Sequence, residues 1–159
     1  MQKIYDTLKT LNIKYEEHDH PAVFTCVDAA KFYDKFPGAR VKNLFLRNRK
    51  GDRHYLLIVS DNKTVDLKQL AQQFGEKQLS FASAERLMKY LHVTPGSVSA
   101  LGLVYDTDLA VKILCDDSVQ QHEQINLHPN INTKTITLTI ADLLRYFGHT
   151  GHAVQFLPI

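Results

Sequence analysis

A chain of 159 residues with 44% hydrophobic and 23% charged residues can bury a sizeable core in one domain without disulfide staples. Its formal charge of +2 is too mild to mark a nucleic-acid binder by charge alone. Two cysteines, Cys26 and Cys115, form neither a CxxC pair nor a disulfide framework, so a reduced cytoplasmic setting is expected. The opening residues lack a continuous apolar run, and no stretch reaches the length of a membrane-spanning helix, so no membrane partner is expected.

In chain order, Ile4, Leu8 and Leu11 recur at helical spacing and predict an amphipathic helix over residues 2–11. "IKYE" follows as a short strand, and "HDHPAVFT" is a connection punctuated by Pro21. Thr25 caps an expected helix through "CVDAAKFY", with Cys26 and Asp28 in its first turn. "FPGAR" stops that helix and feeds the strand "VKNLFLRN", residues 41–48. "RKGD" is a turn, and "RHYLLIVS" returns as the antiparallel partner. Asp66 caps "LKQLAQQF", whose stripe is Leu67, Leu70, Ala71 and Phe74, with Gly75 as the stop. Ser83 caps "AERLMKYL", with Leu87, Met88 and Leu91 expected to face inward.

The next segment, "HVTPGSVSALGL", has no period. Then come the strand "LAVKILC", the acidic stretch "DDSVQQHEQ", and "INLHPNINTKTITLTI", which ends in an alternating strand. Thr139 caps a last helix around "IADLLRYF", and "HAVQFLP" closes as a strand. Strands fall in neighbouring pairs between helices, without a sustained βαβ rhythm. The expected class is therefore α+β, a single domain over residues 1–159 with a mixed, largely antiparallel central sheet flanked by helices.

Several residue groups invite a chemical reading. "HDH" (His18, His20) and "HTGH" (His149, His152) lack the spacing of a zinc-protease helix and stand near no cysteine pair, so surface or loop histidines are expected rather than a metal site. No nucleophile elbow, phosphate-binding loop or dinucleotide fingerprint is present, and Gly96 directly precedes Ser97, out of register for G-x-S-x-G. "TPGSVSALG" offers a loop whose backbone N–H groups can approach a carbonyl or oxyanion, or else a plain helix-to-strand connection. "NLHPNINT" places His128 beside Pro129 just before a strand, where an imidazole can exchange a hydrogen bond near neutral pH. The strand "VKNLFLRN" is apolar on both faces after its first pair, yet it opens on Lys42 and Asn43. Lysine at a strand end commonly reaches out to water. Alternation also sends Lys42 and Asn43 to opposite faces unless a bulge re-aims one of them.

Taken together, "HPAVFT", "VKNLFLRN…HYLLIV", "LSFASAERLMKYLHVTPGSVSALGL" and "HPNINTKTITLT", in that order, resemble the YbaK/ProRS-associated family of aminoacyl-tRNA deacylases. "KNLFL" and "TPGSVS" most resemble its free-standing ProXp-ala (PrdX) branch. The likeness runs from about Ile4 to Phe156. It implies hydrolysis of the ester joining a wrong amino acid to tRNA, here alanine on tRNA(Pro), with no cofactor and no metal. By the same resemblance Lys42 falls on the family's essential lysine and Asn43 on the asparagine after it. Gly96 opens the G-x-x-x-P substrate loop through Ser97, Val98, Ser99 and Ala100, and His128 aligns with a histidine of the amino-acid pocket. The chain departs from that motif at Ala100, where the family has proline, but the backbone N–H groups are retained. Partners implied are the acceptor end of mischarged tRNA and, as a further candidate, prolyl-tRNA synthetase. Other readings are a YbaK-type deacylase of Cys-tRNA(Pro) or another mischarged tRNA, and a non-catalytic tRNA- or synthetase-binding module.

Overall fold

The computed structural model describes residues 1–22 and 36–159. The helix expected over residues 26–33, with Cys26, lies outside the described residues. The core is a five-stranded sheet built on β2 (Val41–Asn48) and β3 (His54–Ser60), which pair antiparallel, with Lys42 opposite Val59 and Asn43 opposite Ile58. β4 (Leu79–Phe81) flanks β2, while β5 (Val111–Asp116) and β8 (Val154–Leu157) add in parallel beyond β3, giving the order β4-β2-β3-β5-β8. A second sheet has β7 (Lys134–Thr139) between β1 (Glu16–Asp19) and β6 (Gln124–Leu127), all antiparallel. A parallel bridge, Ala39 to Ile125, ties the smaller sheet to the entry of β2.

Both faces of the larger sheet are covered, which is why β3 reads as an unbroken apolar run with every residue from His54 to Val59 buried. On one face Leu46, Tyr55, Leu57 and Val59 pack with Leu70 and Ala71 of α2 (Leu67–Gln73). On the other, Val41, Phe45, Leu56 and Ile58 meet α1 (Gln2–Thr10), α3 (Ala84–Leu91), α4 (Ile140–Thr150) and the inner face of the smaller sheet. Most caps fall where the sequence puts them. Asp66 accepts from the N–H groups of Lys68 and Gln69, Ser83 from Arg86, and Thr139 from Asp142.

Four details differ from the sequence reading. The first β-strand begins at Glu16 rather than Ile13, because Ile13 is buried at the exit of α1, where its N–H bonds to the Leu8 carbonyl. Met88 is 49% exposed, since Leu87 and Leu91 already fill the inward face of α3. "INLHPNINTKTITLTI" contains two strands and a turn, and the β-structure divides into two sheets. The aperiodic segment after α3 ends in a 3-10 helix, Ala100–Tyr105.

Candidate active site

β2 runs without a bulge through its first residues, so alternation holds and Lys42 and Asn43 leave opposite faces. Lys42 is half-buried, on the α2 side. Its Nζ donates to the carbonyls of Asp61 (3.3 Å) and Lys63 (2.5 Å) in the connection after β3. An ammonium has three N–H donors, so among the described residues one is left over after these two bonds. Asn43 shares its face with Val41 and Phe45, the face occupied by the larger core. Its Oδ1 is buried and, among the described residues, has no hydrogen-bond partner. Among the described residues the sheet is open beside it. β4 pairs with β2 only from Leu46 to Asn48, and the Ala82 N–H reaches back to the Phe45 carbonyl, so among the described residues no strand flanks the outer edge of Asn43.

The loop 96–100 lies on the same side as Asn43. Gly96 adopts φ 88°, a conformation glycine takes without strain. The Ser97 N–H bonds to the Thr94 carbonyl, and Ser99 caps the 3-10 helix by accepting from the Leu101 N–H. Ser97, Ser99 and Ala100 are buried, and Val98 packs against the larger core. Among the described residues the N–H groups of Val98, Ser99 and Ala100 have no backbone acceptor. Tyr146 of α4 donates to the Leu101 carbonyl at 2.8 Å, which fixes the helix that follows the loop.

His128 sits at the end of β6. The Lys134 carbonyl can only accept, so His128 Nδ1 carries the proton of their 2.8 Å bond. Burial pushes the His128 pKa below the usual histidine value, so the ring is neutral at pH 7. Two residues on, Asn130 donates to the Leu91 carbonyl at 2.7 Å and lies against Gly102 of the 3-10 helix. That contact ties the His128 turn to the helix that follows the glycine loop. The structure therefore gathers the loop 96–100, the His128 turn and the Asn43 face on one side of β2, and turns the Lys42 amine to the other.

Three histidines of the two pairs, His18, His20 and His152, make contacts with other side chains. His18 stacks on Phe36 with ring centroids 4.1 Å apart, and His20 meets His128 edge-on at 5.9 Å. His152 Nε2 pairs with Asp106 Oδ2 at 3.1 Å, both buried. Among the described residues no group of three His, Cys, Asp or Glu is placed to hold a metal ion. Cys115 is buried, and burial first, then the neighbouring Asp116, pushes its thiol up to about 12, far from a reactive thiolate.

An aminoacyl-tRNA editing domain matches residues 20–146. The chain belongs to that family. It is 35% identical to the prolyl-tRNA editing protein ProX of Acetoanaerobium sticklandii, over 99% of this chain and 96% of that one. It is 33% identical to the prolyl-tRNA synthetase associated domain-containing protein 1 of Danio rerio, over 98% of this chain and 85% of the relative. Its fold superposes on a solved structure described as a candidate trans-editing enzyme for prolyl-tRNA synthetase, with a TM-score of 0.72, 21% identity and coverage of 99% and 96%. The protein is thus an aminoacyl-tRNA deacylase of α+β fold, an enzyme that hydrolyses the ester of mischarged tRNA. No helix among the described residues is long and apolar enough to cross a membrane.

Sequence reading missed the seats of these groups: the carbonyls of Asp61 and Lys63, and Asn130 behind the loop. Backbone acceptors carry no sequence signature, and Asn130 looked like part of a His-Pro turn. In the structure Asn130 adopts φ 62°, a left-handed conformation in which asparagine is favoured.

Proposed function

We propose that this deacylase acts in trans on mischarged tRNA(Pro), and that the amino acid it removes is alanine. One observation carries the assignment to tRNA(Pro): the end-to-end likeness to the prolyl-tRNA editing protein ProX. The assignment to alanine rests on the "KNLFL" and "TPGSVS" blocks, which resemble the ProXp-ala branch. A synthetase site made for proline cannot strongly reject a smaller amino acid, since a missing methylene discriminates by only about 1–3 kcal/mol. A second site that admits alanine and shuts out proline corrects the error.

The proposed division of labour spans both faces of β2, with the Lys42 amine on the face away from the loop and the His128 turn. The N–H groups of Val98, Ser99 and Ala100 suit the ester carbonyl and the oxyanion formed on it. Neutral His128 and the Asn43 amide bound the amino-acid side. Lys42, through its remaining N–H, anchors the anionic or carbonyl part of the terminal nucleotide. Aminoacyl esters are labile, so holding ester, water and donors in register supplies the rate without a nucleophilic side chain. The substrate's own ribose hydroxyl is the candidate to orient the water.

The test is a panel of alanyl-, cysteinyl-, seryl- and prolyl-tRNA(Pro) offered to wild type and to Lys42→Ala. Wild type is expected to release alanine fastest and to spare proline. Lys42→Ala is expected to be inactive with an unchanged circular dichroism spectrum. Full activity in that variant discards the scheme, and faster release of cysteine reassigns the substrate. Tight tRNA binding without release of any amino acid returns the protein to a binding module.

A further inference from the structure

The ammonium of Lys42 is held by main-chain carbonyls, and a carbonyl aims a charge only as well as its own chain segment is fixed. The segment 61–63 is braced at both ends. Asp61 Oδ2 accepts from Arg40 Nε at 2.9 Å, on the residue just before β2. Lys63 gives its carbonyl to Lys42, while its own side chain runs back to the end of β5. There its Nζ lies 2.8 Å from Asp116 Oδ2 and donates to the Ile159 carbonyl at 2.9 Å.

Asp116 is a firm anchor. It is 1% exposed, ends a strand paired on both sides, and also accepts from the Ser118 hydroxyl and, at 3.3 Å, from the Ile159 N–H. Burial works to raise its pKa, but the bonds from Lys63 and Ser118 win and hold the carboxyl below its usual value, so it stays charged. A buried carboxylate and a cation that exposes 35% of its side chain add little to stability as a bare pair. Their position, directly behind the carbonyl that receives Lys42, gives them another use.

We propose that Lys63 and Asp116 are positioning residues for the deacylation. The pair fixes the carbonyl of Lys63, and through it the direction of the one Lys42 N–H left for the substrate. This rests on the reading of Lys42 as the group that touches the tRNA end, so the experiment separates the two claims. The full chain and its Asp116→Asn, Lys63→Gln and Lys63→Arg variants are trace-labelled with acetic anhydride, and modification at Lys42 is read by mass spectrometry. The same proteins are assayed on alanyl-tRNA(Pro) for kcat and KM, scaled to the folded fraction.

Lys42 is expected to label several-fold faster in Asp116→Asn and Lys63→Gln. Their kcat is expected to fall about tenfold or more, as misplacement by an ångström does, with KM little changed. Lys63→Arg, which keeps a cation for Asp116, is expected to retain most of the activity. If Asp116→Asn fails to fold, Lys63→Gln carries the test, because that side chain lies partly in solvent. Unchanged labelling of Lys42 overturns the clamp. Faster labelling with unchanged kcat overturns its role in the reaction. A wild type that labels slowly at Lys42 but hydrolyses no mischarged tRNA leaves the clamp standing, sinks the proposed function, and takes the positioning role with it.

Discussion

His54 shows how a buried ring can tie an exposed turn to the core. Its imidazole lies between Phe45 and Tyr90, with centroids 5.7 and 4.4 Å away, and its Nε2 meets Arg86 Nη1 at 2.6 Å. The guanidinium can only donate, so Nε2 accepts and the ring is neutral with its proton on Nδ1. The same Arg86 nitrogen donates to the Gly51 carbonyl at 2.8 Å, holding the β2–β3 turn against α3. Burial first, then the Arg86 charge, lowers the His54 pKa from its ordinary 6.5. A histidine depressed in the folded state contributes stability that is fully present above its unfolded pKa and is lost as pH falls toward the folded value. Urea midpoints at pH 7 and pH 5 check this. Wild type is expected to lose more between the two than His54→Gln, whose amide can still accept from Arg86 but does not titrate. Equal losses would show that His54 takes no part in the acid limb.

At the scale of elements, the sequence was most legible where burial and capping act together. Asp66 accepts from two N–H groups at 2.9 and 3.0 Å to start a helix of only 7 residues, too short to persist without its cap and its packing. Asp66→Ala is expected to cost about 1 kcal/mol and Asp66→Asn only a few tenths, read as the shift in urea midpoint. What the sequence hid was polar structure. β1 reads "EEHD", with no apolar alternation, because it is an edge strand held through β7 and through Lys134, whose Nζ lies 2.7 Å from Glu17 and 2.6 Å from Asp19. Such an edge is specified by pairing across more than a hundred residues of sequence, and no window of local periodicity can register that. β6 was hidden for a similar reason, being four residues long and running straight into the His128 turn. The candidate site divides along the same line. Lys42, Asn43, the glycine loop and His128 were legible as residues, whereas which of them share a face follows from the pairing of β2, and what holds the Lys42 amine is main chain.

Across the whole molecule, the glycine loop is located by contacts that converge on Gly102, at the centre of the 3-10 helix. A Cβ added there would come within 2.9 Å of the Leu91 carbonyl and 3.0 Å of Asn130 Oδ1. The first belongs to the last residue of α3 and the second to the turn that carries His128. Neither is the far end of a flexible chain: one is main chain, and the other is an amide already bonded to that same carbonyl. Gly102→Ala must therefore spread α3, the loop and the His128 turn together, a strain of about 1–3 kcal/mol for one methyl forced into a packed interior. Gly148 offers the opposite case. It lies within α4 with nothing inside 4 Å of an added Cβ, so Gly148→Ala is expected to gain about 0.5–1 kcal/mol from helix propensity. If the three segments form one site, Gly102→Ala loses deacylation per folded molecule as well as stability, and Gly148→Ala gains stability with its rate unchanged. Combining the two separates the effects: the second substitution is expected to recover part of the urea midpoint lost in Gly102→Ala but none of its kcat. Recovery of kcat along with the midpoint would mean that the crowding at Gly102 acts on folding alone and that the loop reaches its working position without help from the His128 turn.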